Sequence, residues 1–118
     1  MKLTSYESPM HLVSNYDTNT ALLNSIDNPG SDHRIFNIAG PEDCMVTFGS
    51  YYDAVAELNS QPAPPREAYG TGPYPQYYYD TTEGQAALRF QSRSYDDLLA
   101  EIRAAVAELA TLRSAHQR

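Results

Sequence analysis

The amino-acid sequence predicts a single α/β domain of short strands and about four helices. Three observations carry this expectation. The chain has 118 residues, which suits one domain of about 100 to 150 residues and leaves no room for a second. Hydrophobic residues make up 42% of it, enough at this length for a core that needs no metal or disulfide staple. Short apolar runs closed by turn residues alternate with segments whose apolar residues recur at helical spacing, the pattern of strands alternating with helices.

Residues 1–9 read as an N-terminal extension, and the domain as 10–118. His11-Leu12-Val13-Ser14 is a short apolar run, giving a strand over 10–14. Asp17 then suits a helix N-terminus, since a short acidic side chain can accept from the free N–H groups there. Ala21, Leu22 and Ile26 follow at helical spacing, and Asn28-Pro29-Gly30 supplies a stop, predicting a helix over 17–27. The run from His33 to Ala39 is partly β-branched and bounded by turn residues, so it reads as a buried strand with its centre at 34–39. Thr47 can cap a helix over 48–58 whose Phe48, Tyr51, Val55 and Leu58 share one face.

Residues 60–79 hold five of the eight prolines and the tyrosines 69, 74, 77, 78 and 79. That composition predicts an extended or looped segment too aromatic for a solvated linker, hence packed on the domain. Asp80-Thr81-Thr82 starts a short helix through Leu88. Ser94-Tyr95-Asp96-Asp97 has capping-box spacing with Asp in place of Glu, and a helix over 95–115 follows with a stripe of Leu98, Ile102, Val106, Leu109 and Leu112. Such a stripe predicts a buried face.

Charge and cysteine content exclude several functions. Fifteen Asp and Glu against eight Lys and Arg give a net charge of -7, and Lys2 is the only lysine. Nucleic-acid affinity comes largely from clustered cations releasing counterions, so no nucleic-acid partner is expected. The lone Cys44 forms no internal disulfide and no cysteine-based zinc site, which reads as a protein of the reducing cytoplasm. The first residues have no apolar signal core, and no window approaches the roughly 20 apolar residues of a membrane span.

Val13-Ser14 with Asp17 and Ala21-Leu22, then Arg34-Ile35-Phe36-Asn37-Ile38-Ala39-Gly40, Tyr79-Asp80-Thr81-Thr82, Leu88-Arg89-Phe90 and Arg93-Ser94-Tyr95-Asp96-Asp97-Leu98-Leu99 occur in that order over about residues 10–108. Together they resemble the C-terminal, substrate-binding portion of the extended short-chain dehydrogenase/reductases, the NAD-dependent epimerase/dehydratase group. The resemblance implies a partial Rossmann-like C-terminal half-domain without its cofactor half. No glycine spacing here makes a dinucleotide-binding turn, and no lysine stands four residues after any of the ten tyrosines. No cofactor and no NAD-dependent oxidoreductase activity are therefore expected, and no catalytic residue carries over. Arg89 also departs from the pattern, which usually has Gly after the short helix.

The resemblance places the rim of a substrate pocket near His11, Tyr16 and Asp17. Imidazole, phenol and carboxylate together suit acid/base catalysis, while the plainer reading makes Asp17 a helix cap and His11 a structural strand residue. A small ligand is expected among His11, Tyr16, Tyr77 and Tyr79, because tyrosines offer apolar area with polar tips. Strand-like alternation would put Tyr77 and Tyr79 on one face and Tyr78 on the other; core packing competes with a pocket role. Glu42 and Asp43 should raise the Cys44 thiol pKa and keep it inert. His11, His33 and His116 have no helical partner spacing, so no metal is expected.

Two function classes follow. One is an assembly or small-molecule-binding subunit, completed by a second copy, most simply as a homodimer, or by a partner chain carrying the dinucleotide-binding half. The other is a cofactor-independent isomerase, cyclase or lyase acting on an apolar metabolite through the residual pocket. The first predicts apolar surface where the missing sheet would lie.

Overall fold

A computed structural model describes residues 2–72 and 77–116. Among these the architecture is mixed α/β, with four α-helices and a two-stranded sheet. The strands β1 (Pro9–His11) and β2 (Met45–Thr47) run antiparallel, with Met10 opposite Val46. Beyond the ladder, the Leu12 N–H donates to the Cys44 carbonyl at 3.1 Å and the Leu12 carbonyl accepts from the Gly40 N–H at 2.7 Å.

The expected strand at 34–39 is not formed. From Ile35 to Ile38 no backbone N–H or carbonyl finds a hydrogen-bond partner among the described residues, and the Ile35 side chain is 96% exposed. A strand needs a neighbouring strand, and among the described residues no strand runs beside Ile35–Ile38.

The first helix, α1 (Asn15–Ser25), starts earlier than expected because Ser14, not Asp17, is its cap: the Ser14 hydroxyl accepts the Asp17 N–H at 3.0 Å. Of its apolar residues at helical spacing, Ala21 is buried while Leu22 and the following Ile26 face solvent. The second helix, α2 (Phe48–Leu58), matches its expected limits. Thr47 and Ser50 close a reciprocal capping box that satisfies two of the free N–H groups at its start.

Residues 1–9, expected to be an extension, join the domain from residue 3 onward. The Leu3 N–H donates to the Ala68 carbonyl at 2.8 Å, and the Gly70 N–H donates to the Leu3 carbonyl at 2.7 Å. The Tyr6 ring lies against α2 at Gly49, where any Cβ would enter the ring. It meets Tyr69 edge-on with centroids 5.2 Å apart, and its hydroxyl donates to Asp53 at 2.8 Å.

The short helix α3 (Thr82–Leu88) ends on Arg89, which has φ 45° in the left-handed region. A Cβ in that region costs about 1–2 kcal/mol, whereas glycine enters freely at some cost in unfolded-chain entropy. Arg89→Gly should therefore stabilise the protein by about 0.5–1 kcal/mol. A urea midpoint that falls instead would show that the Arg89 side chain contributes more than its backbone strain costs.

The last helix, α4 (Tyr95–His116), is capped as its sequence suggests. The Asp97 N–H donates to the Ser94 hydroxyl at 3.1 Å, and the Ser94 N–H donates to the Asp97 carboxylate at 2.9 Å. The Ser94 backbone bond holds the Asp97 carboxyl below its ordinary range. Leu98 and Ile102 wall a cleft of about 280 Å³ with Tyr51 and Leu12. Further along, Leu109 is 47% and Leu112 59% exposed, so the expected buried stripe is covered only in its first half.

Ala21, Leu88 and Phe90 form the core, with Phe36, Ile38 and Ala87 packed on it. The Cα radius of gyration is 17.4 Å, with extents of 51 × 43 × 21 Å, against about 13.5 Å for a compact domain of this length. The chain is a thin, open plate whose few buried residues leave much apolar surface uncovered. Among the described residues no helix is long and apolar enough to cross a membrane.

Candidate functional site

His11 ends β1 beside the Gly40 turn, and both of its ring nitrogens are engaged. Nε2 lies 2.7 Å from the Gly40 carbonyl, and Nδ1 accepts the Tyr79 N–H at 3.1 Å. A carbonyl takes only a donor and an N–H only an acceptor, so this pair of bonds selects the neutral tautomer with its proton on Nε2. The Tyr79 ring stacks on the imidazole at 6.1 Å and 28°, and Tyr78 approaches it edge-on at 6.2 Å. The Tyr78 hydroxyl donates to the Val46 carbonyl of β2 at 3.0 Å.

Tyr78 and Tyr79, at the end of the Pro/Tyr-rich stretch, therefore lie against the sheet, with His11 as their clamp. The expected alternation of Tyr77 with Tyr79 against Tyr78 does not occur. Residues 77–79 are not a strand, and Tyr78 and Tyr79 share the imidazole while Tyr77 is exposed. Tyr74 lies outside the described residues. Tyr16, on the exposed side of α1, is held by Arg93, whose guanidinium sits 4.2 Å from its ring centre. Of His11, Tyr16, Tyr77 and Tyr79, the structure brings His11 and Tyr79 together.

Asp17 is 0% exposed. Its Oδ1 accepts the Ser92 hydroxyl at 2.7 Å, and its Oδ2 accepts the Ser92 and Arg93 N–H groups, each at 3.0 Å. The carboxylate ties α1 to the segment leading into α4. Nothing local in the sequence marks these bonds, whose partners lie 75 and 76 residues away.

Cys44 is buried, with its Sγ 3.7 Å from the Asp43 carboxylate. Burial first, and then the Asp43 charge, push the thiol up to about 12, in the direction its acidic neighbours suggest. Thiol reagents should leave the native protein unmodified at neutral pH and react once denaturant is added; rapid native labelling would contradict this burial. Because the folded thiol holds its proton more tightly than the unfolded one, stability should fall as pH rises from the ordinary value of 9.0 toward 12.

A second feature escaped the sequence reading. An apolar groove of about 230 Å³ runs between α1 and the unpaired segment, lined by Ala21, Leu22, Phe36, Ile38 and Leu88 among others. Beside it, Arg34 lies 4.7 Å from the Phe36 ring centre and 3.7 Å from the Glu83 carboxylate. Composition marks 34–39 as a buried strand, and the missing signal was the absence of flanking strands. Among the described residues no group of His, Cys, Asp and Glu is arranged to hold a metal ion. In comparisons with known proteins, no family model, curated protein or solved structure matches this chain.

Proposed function

We propose that this chain is an assembly subunit: a partial Rossmann-like, short-chain dehydrogenase/reductase-like half-domain, without dehydrogenase activity of its own, that completes its sheet and core with a second polypeptide. One observation carries the reading. Residues Ile35–Ile38 have the composition of a buried strand, yet among the described residues their backbone groups are unpaired and Ile35 is 96% exposed. An unpaired strand edge beside an apolar groove is what strand addition uses: main-chain hydrogen bonds supply affinity and alternate side chains fill the groove. The acid/base reading has less support, since His11 has no free ring nitrogen and Asp17 is turned inward.

The test is the composition of the native complex, with amide exchange on the same sample. Protection of residues 35–38, lost in Ile35→Asp without loss of helical content, is the expected result. A copurifying chain with a glycine-rich dinucleotide turn would identify the partner as the cofactor half. Unprotected amides at 35–38 in the native complex would overturn the reading.

A further inference from the structure

The second half of α4 stands off the body of the protein. From residue 103 to 116 every residue except the half-buried Val106 is exposed, which is about 20 Å of helix. A helix of this length is marginal alone in water, and its two leucines, Leu109 and Leu112, lie on one face. Ile102, Ala105, Leu109 and Leu112 fall at alternating steps of three and four, the a and d positions of a heptad. The stripe continues the one that packs Leu98 and Ile102 beside Tyr51. It emerges from an intramolecular contact and runs on uncovered.

The charges beside this stripe identify its occupant. With Ile102 and Leu109 at a, Glu108 is the g position and Arg113 the following e position. In two parallel helices in register, a g residue faces the next e residue of the other helix. Glu108 of each copy then meets Arg113 of the other, giving two symmetric ion pairs. An antiparallel pair would instead oppose g to g and e to e, bringing like charges together. Neither residue has an opposite charge three or four positions away on its own helix, and neither makes an ion pair among the described residues.

We infer that the exposed half of α4 is a self-recognition surface, on which two copies of this chain pair their last helices in parallel, with Glu108 against Arg113. The inference rests on the assembly reading above and uses a different surface from residues 35–38. The isologous contact buries Leu109 against Leu109 and Leu112 against Leu112 of a second copy.

Sedimentation equilibrium of the full chain tests it. The wild type should dimerise reversibly. Glu108→Arg and Arg113→Glu each turn two attractions into two repulsions and should weaken the dimer about tenfold, with unchanged circular dichroism because both sites are exposed. An equimolar mixture of the two variants restores both pairs and should associate to within about threefold of wild type. Leu112→Cys, a d position, should cross-link to itself on oxidation in the parallel pair. The proposal is overturned by a monomeric wild type, by a dimer indifferent to both reversals, or by a mixture that stays apart. Ile35→Asp should leave this dimer intact, so loss of protection at 35–38 and loss of α4 pairing are read independently.

Discussion

Asp17→Ala should cost about 3–5 kcal/mol, enough to remove most of the stability of a domain whose total is of order 5–15 kcal/mol. The Asp17 carboxylate is fully buried and accepts from the Ser92 hydroxyl and from the N–H groups of Ser92 and Arg93. Bonds to an ionised acceptor are roughly twice as strong as neutral ones. Deleting the acceptor leaves its donors facing a void, and it unties α1 from the start of α4. Asp17→Asn keeps the volume and one acceptor oxygen but turns an amide N–H₂ toward donors, so its loss should be intermediate. Urea unfolding followed by far-ultraviolet circular dichroism gives the order: wild type, then Asn, then Ala. A catalytic carboxylate would behave in the opposite way, because removing a strained functional group tends to leave stability unchanged or raise it. An Asp17→Ala protein within about 1 kcal/mol of wild type would return Asp17 to the list of candidate acids.

The parts of the fold legible from sequence are those fixed by residues close together in the chain. Thr47 and Ser50 mark the start of α2, and Ser94 and Asp97 mark the start of α4, because a cap and its partner lie three residues apart. What one residue does for another far along the chain was not legible. Met45-Val46-Thr47 is too short to stand out as a strand, and it becomes one only because Pro9–His11 lies beside it. Ile35–Ile38 has the right residues for a strand and lacks the neighbour. Asp17 reads as a cap because that is its commonest local role, while its actual partners are Ser92 and Arg93. Of the residues expected to line a ligand site, His11 and Tyr79 touch, through the Tyr79 N–H and the stacked rings. The roles of Tyr78 and Gly40 depend on residues far apart in the chain meeting at His11 and Val46, which no local spacing encodes.

Gly40→Ala should be strongly destabilising, because the added methyl meets fixed backbone. A Cβ at residue 40 would fall on the Leu12 carbonyl oxygen, with the Cys44 Cβ and Sγ each at 2.9 Å. A flexible side chain would yield, but this carbonyl is held. It accepts the Gly40 N–H at 2.7 Å, and its own residue's N–H is fixed by the Cys44 carbonyl at 3.1 Å. The Gly40 carbonyl in turn meets His11 Nε2 at 2.7 Å and accepts from Gln91 Nε2 at 3.2 Å. Clearing this overlap means moving the held backbone itself, and therefore loosens the end of β1, the His11 clamp and the Gln91 tie together. Overpacking of this kind costs about 3 kcal/mol in a site that cannot relax. Gly72→Ala is the matched control, since among the described residues nothing lies within 4 Å of a Cβ placed there, and it should be neutral or stabilising by about 0.5 kcal/mol through the unfolded chain. The two variants carry the same added methyl, so a difference in urea midpoint reports the local packing alone. The Tyr79 amide adds a second measure: its N–H is held by His11 Nδ1, so it should exchange faster in Gly40→Ala and unchanged in Gly72→Ala. Equal midpoints for the two would mean that the turn at Gly40 has more room than its contacts indicate, and that His11 is anchored by the tyrosines rather than by the backbone beneath it.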